Sequence, residues 1–185
     1  MTQELRKSME AIAHTRKEVV VKRGKADYSD KVYYVNAKIT GASNTISLID
    51  ANTKKIAGLT NFDGNVIGLG KAFPVSGIRL LYNKGNDTTK EGEVGYSSAM
   101  TLPGALLNAI VTLKQGSKVL LQLPVSDLYG FKMKEFRMVA TLPVLRDKDP
   151  FELEIEMPNG IALPVTAGTQ EFIRIEFKGV ERKSL

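Results

Sequence analysis

The stretch "FELEIEM" (151–157) alternates at every position: Phe151, Leu153, Ile155 and Met157 fall on one side of an extended strand, and Glu152, Glu154 and Glu156 on the other. Asp149 and Pro150 precede it and Pro158-Asn159-Gly160 follow, so it reads as one strand with a turn at each end. The same period of two runs through "KVYYVNAKI" (31–39), where Tyr33, Val35, Ala37 and Ile39 oppose Tyr34, Asn36 and Lys38. It returns in "PVSGIRLLY" (74–82), with Ile78, Leu80 and Tyr82 on one face, and in "QEFIRIEFKGV" (170–180).

Other segments are less regular. "NTISLID" (44–50) and "KKIAGL" (54–59) flank "ANT", which predicts a short hairpin. "TNFDGNVIGLGKAF" (60–73) is glycine-rich and reads as a loop or irregular strand, and "NKGNDTTKEGEVGYSS" (83–98) as a long polar loop. In "ALLNAIVTLKQGSKVLLQLPV" (105–125), Leu107, Ala109, Val111 and Leu113, then Val119, Leu121 and Leu123, fit a hairpin about "QGS". The first half also suits a helix, because Ala and Leu favour one and the period does not decide. A further strand is expected around 135–142, and "PNGIALPVTAGT" (158–169) supplies turns with room for a short extra strand.

Only the start of the chain shows a helical period. In "TQELRKSMEAIAH" (2–14), Leu5, Met9 and Ile12 recur at i, i+4 and i+7, and Thr2 is placed to cap. A helix that short is marginal alone and needs a surface to dock on, which makes Leu5, Met9 and Ile12 candidates for a subunit interface. Eight or nine strands and one terminal helix predict an all-β fold, an antiparallel two-sheet sandwich or barrel. The long connections favour Greek-key or jelly-roll topology over a meander. The expected division is a helix and arm over 1–30 and one β-sandwich domain over 31–185.

Composition adds one asymmetry. The 185 residues carry a net charge of +6. Residues 1–25 hold seven basic residues (Arg6, Lys7, Arg16, Lys17, Lys22, Arg23 and Lys25) against three acidic ones (Glu4, Glu10 and Glu18), a net +4. Such an arm can contact nucleic acid or an anionic lipid surface, or remain a solvated terminus. The apolar fraction of 43% is that of an ordinary folded protein. No apolar run is long enough for a membrane-spanning helix, and the N-terminus lacks a signal-peptide core.

Candidate chemistry is sparse. The single His, His14, and the absence of Cys leave little material for a catalytic triad, a thiolate or a His/Cys metal site, so neither enzyme nor metal or other cofactor is expected. "GNVIGLGKA" (64–72) fails as a phosphate loop: Asn65 stands where a Gly is required and Ala72 where Ser or Thr is. "DANTKK" (50–55) begins like a calcium loop but lacks the central Gly, and Asn61 replaces the closing Glu. Glu152, Glu154 and Glu156 stand about 7 Å apart along a strand, with nothing to bury one and raise its pKa. They read as a solvated face, with Arg174 and Lys178 of "FIRIEFK" as cross-strand partners, or as a subunit interface where charge sets register. Tyr33, Tyr34 and Lys38 resemble a stacking surface for single-stranded nucleic acid, but core packing is the more economical use of the tyrosines.

Short helix, basic arm over 1–30, and the strands "FPVSGIRLLY", "KVLLQLPVSDL" and "FELEIEM … EFIRIEF" together resemble the single jelly-roll capsid proteins of tailless icosahedral viruses, those infecting bacteria in particular. The resemblance implies a virion protein, made in the host cytoplasm, that assembles with copies of itself and other capsid proteins. It implies an inward-facing N-terminal segment, bringing Arg6, Lys7, Arg16, Lys17, Lys22, Arg23 and Lys25 to genomic nucleic acid or an internal membrane, and makes 83–98 an inter-subunit or outer-surface loop. The arm is less basic than the Arg-rich arms of many RNA-virus capsids, which shifts weight towards membrane or neighbour contact. The alternative is a β-sandwich module binding carbohydrate or another ligand, with Tyr82, Tyr96 or Tyr129 as an exposed aromatic platform. The lack of Trp argues against sugar.

Overall fold

The alternation over 31–39 is the later part of a longer strand. The computed structural model describes residues 26–39, 44–129, 135–161, 163 and 167–184. The predicted N-terminal helix and the basic residues up to Lys25 lie outside the described residues. Nine strands are described: β1 (Ala26–Ile39), β2 (Thr45–Ile49), β3 (Lys71–Gly85), β4 (Ile110–Gln115), β5 (Lys118–Pro124), β6 (Arg137–Met138), β7 (Val144–Arg146), β8 (Phe151–Glu156) and β9 (Gln170–Ser184). Two one-turn helices, α1 (Gly104–Leu107) and α2 (Val125–Leu128), flank the β4–β5 hairpin. The ambiguous segment 105–113 is therefore divided: the helix-favouring Ala and Leu form α1, and strand begins at Ile110.

All pairings between named strands are antiparallel and fall into two sheets. Sheet A runs β1-β9-β3, with β6 and β7 end to end along the far edge of β3; sheet B runs β2-β8-β4-β5. The pairings are nested in sequence: β4 pairs β5, β3 pairs β6 and β7, β2 pairs β8, and β1 pairs β9.

Between the sheets lies the core. Sheet A contributes Tyr33, Val35, Phe73, Val75, Ile78, Leu80, Tyr82, Ile173, Ile175 and Phe177; sheet B contributes Val111, Leu113, Phe151, Leu153 and Ile155. The apolar rows read from the sequence in β1, β3 and β8 are these inward rows. Phe62, from the irregular stretch before β3, is inserted among them. Its ring stacks on Tyr33 at 4.5 Å between centroids and meets Phe151 at 5.2 Å and Phe177 at 6.4 Å, touching both sheets.

A proline in a central strand needs an accommodation, because it has no N–H for the ladder. Pro74 lies in β3 between β9 and β7, and the register with β9 shifts between Val75 and Gly77. Opposite, Gly179 of β9 admits the Pro74 carbonyl: a Cβ there would lie 2.1 Å from that oxygen and 2.9 Å from the Phe73 ring.

Several expectations are corrected. "KKIAGL" does not pair with β2; after a turn in which Asp50 Oδ1 accepts the Asn52 N–H, the chain makes isolated bridges, Ile56 with Thr60 and Thr60 with Val35 of β1, and β2 pairs β8. The strand expected over 135–142 is reduced to two residues at β6, with β7 following at 144–146. The loop expected from residue 83 begins later, because β3 runs on to Gly85. Finally, β8 and β9 lie in different sheets, so Arg174 and Lys178 are not partners of the β8 glutamates.

Candidate assembly faces

In antiparallel sheets, directly opposed residues share a face. On the outer face of sheet B the rows are Thr45–Glu156–Ile110–Pro124, Ser47–Glu154–Thr112–Gln122 and Glu152–Lys114. Glu152 and Glu156 are exposed, and Glu154 is half-buried. Lys114 Nζ donates to Glu154 at 2.6 Å. That bond, then the Glu154 charge, with Glu152 and Glu156 adding to it, holds the ammonium pKa above its ordinary range. Three glutamates against one lysine leave this set of rows at about −2. The predicted wet, acidic face is present, with Lys114 as its cation.

The outer face of sheet A divides into two halves. Near Phe172, loops from either edge cover it. Along β1, the Asn36 N–H donates to Leu59 O at 2.7 Å, and Asn61 caps the edge through the Tyr34 N–H and Val32 O. Along β3, Tyr82 exchanges backbone bonds with Ser97, and Asn83 Nδ2 donates to Gly95 O. The loops meet over β9: Gly58, at φ +85°, has no Cβ, and one placed there would lie 3.3 Å from Gly92 Cα. Beneath them, Phe172 is fully buried although it stands in the outer row. Glu176, also buried, accepts 2.5 Å hydrogen bonds from Arg79 Nε and Arg174 Nε. Arg174 in turn stacks on Tyr34 at 4.0 Å.

The half of sheet A nearer Ala26 carries no such loop roof among the described residues; only Phe136 overlies its border, its side chain against Gly77 and its ring 4.4 Å from Arg79 and 5.8 Å from Lys178. Its rows are Arg146–Ala72–Arg182–Tyr28, Val180–Asp30 and Met138–Gly77–Lys178–Val32. Val32, Val180, Tyr28 and Met138 are exposed apolar residues on it, Lys178 and Arg146 are exposed, and Arg182 is half-buried. Against Asp30 these three cations leave the rows at about +2.

The buried part of the inward row of β9 begins and ends in a carboxylate, Glu171 and Glu181. Glu171 accepts a hydrogen bond from the Tyr82 hydroxyl and pairs with Lys84 at 3.5 Å. Glu181 accepts from the Tyr33 hydroxyl at 2.5 Å, Lys31 at 2.9 Å and Lys71 at 3.2 Å. Burial acts to raise the Glu181 pKa, but the bonds from Tyr33, Lys31 and Lys71 and the Lys31 charge outweigh it and hold the carboxylate at about 2. Both tyrosines are pushed up, by burial first and then by their carboxylate partners. These clusters fasten β1, β3 and β9 together. The spacing signals them: Glu171 and Glu181 have the parity of Ile173, Ile175 and Phe177.

The candidate aromatic platform is not assembled. Tyr82 is fully buried in the core, correcting the expectation that it is exposed, and Tyr96 and Tyr129 are each half-buried. Tyr33 is likewise a core residue. The other candidates, Leu5, Met9, Ile12, Arg6, Lys7, Arg16, Lys17, Lys22, Arg23 and Lys25, fall outside the described residues. No protein-family model matches the chain, and no curated protein sequence matches it.

Proposed function

We propose that this chain is a structural subunit of a virion shell, a single jelly-roll capsid protein that assembles with copies of itself and other shell proteins and has no catalytic role. The observation that carries this reading is the nested strand pairing. With β6 and β7 taken as one interrupted strand, eight strands pair outermost with outermost, giving the orders β1-β9-β3-β6/β7 and β2-β8-β4-β5. An antiparallel ribbon wound around a barrel generates those two orders, and that winding is the jelly roll. Fold alone does not fix function. Support beyond the fold comes from two exposed sheet surfaces of opposite charge and from a basic segment immediately before β1.

In this reading residues 1–25, at net +4, face the shell interior and meet genomic nucleic acid or an internal membrane. The test is the assembly state of the purified full chain, by sedimentation velocity and negative-stain microscopy across protein concentration, salt and crowding agent. Large closed oligomers are expected, and deleting residues 1–25 should abolish them. A strictly monomeric profile at high concentration under all these conditions refutes the proposal.

A further inference from the structure

Resting on that reading, we infer that neighbouring copies join through unlike faces: the open half of sheet A's outer face on one copy meets the outer face of sheet B on the next. Three observations carry this. First, the two faces are oppositely charged, with Arg146, Lys178 and Arg182 against Asp30 on one, and Glu152, Glu154 and Glu156 against Lys114 on the other. Second, both expose apolar side chains among the charges: Val32 at 39% and Val180 at 40% on sheet A, Ile110 at 37% and Val119 at 50% on sheet B. Third, the pattern rejects the symmetric alternatives. A two-fold contact of either face with itself would set like net charges together, whereas the unlike pairing sets a net positive face against a net negative one.

The faces lie on opposite sides of one sandwich, so the contact is head-to-tail and propagates from copy to copy. Such heterologous contacts close into rings when the rotation between copies allows it. In a closed ring cyclic symmetry makes the Ala26 ends of all copies equivalent, so they lie on one circle. Every copy then presents its Ala26 end alike, as the inward-facing segment of the proposed function requires.

The test uses two variants of the full chain. Glu152→Lys with Glu156→Lys makes both faces positive, and Lys178→Glu with Arg146→Glu makes both negative. All four side chains are exposed, so circular dichroism and the thermal midpoint should match the parent. Each variant alone is expected to lose association, with the dissociation constant raised roughly tenfold or more. An equimolar mixture should regain it, because each positive face then meets a negative one, and a chain carrying all four substitutions should associate with itself. If the parent assembles and the reversals leave its sedimentation unchanged, or the mixture stays dissociated, the pairing of faces is wrong while the assembly reading stands. If the parent never associates, both fall.

Discussion

Glu181→Gln isolates a charge that ties three strands together across the sequence. The carboxylate is 9% exposed and the two lysines it binds are 31% exposed. Its pKa falls from an ordinary 4.5 to about 2 in the folded protein. A carboxylate whose folded pKa is depressed stabilises the fold above its unfolded pKa, and that stabilisation is lost as pH falls towards the folded value. The gap is worth on the order of 3 kcal/mol, and nearer 2 once solvent screening of the lysines is allowed for. Glutamine keeps an acceptor for the Tyr33 hydroxyl and removes the charge, so the difference between parent and variant reports the ionic part. Urea denaturation of both chains should show that full difference at neutral pH, and less than roughly half of it by about pH 3, within the window between 4.5 and 2. A difference that is the same at both pH values would refute the reasoning: the residue would then act through packing or neutral hydrogen bonding.

Two further substitutions test the packing. Gly179→Ala drives a methyl group into the Pro74 carbonyl and the Phe73 ring, and should cost roughly 3 kcal/mol or more, read as a lower urea midpoint at constant m; a midpoint within error of the parent would mean that β3 has slack at its bulge. Phe62→Ala removes the ring between Tyr33, Phe151 and Phe177 and should cost about 3–5 kcal/mol by the same measurement, whereas a loss under about 1 kcal/mol would show that the sheets close over the gap.

Local patterning made the strands legible, and strand partners were not. The alternation in β8 correctly separates Phe151, Leu153 and Ile155, which are fully buried, from the glutamates, because a period of two follows from the pleat alone. The partner of those glutamates depends on which strands lie beside β8, and the nested pairing brings together residues distant in sequence. Lys114 therefore takes the place expected for Arg174 and Lys178. Tyr82 illustrates a different limit. Its row with Ile78 and Leu80 was visible, and that row alone implied a buried side chain. Phe172 shows the converse: it has outer-row parity, yet is buried under loops whose path no periodicity encodes. The candidate faces were half legible. The acidic stripe is contiguous in sequence, whereas its cationic counterpart is assembled from β7 and β9.

The pairing of β1 with β9 also bears on how the chain acquires its structure. Lys31 and Tyr33 reach Glu181 across sequence separations of 150 and 148 residues. Closing so long a loop comes at a high entropic cost before any contact repays it, so topologies of this kind fold slowly. During synthesis β9 emerges about 130 residues or more after β1, so sheet A lacks its middle strand while β1 and β3 wait on the ribosome. The open half of sheet A's outer face is completed only when β9 docks and brings Lys178, Val180 and Arg182 into their rows. On the proposed reading, a surface built last cannot recruit neighbours early, so assembly would wait until each chain has finished folding.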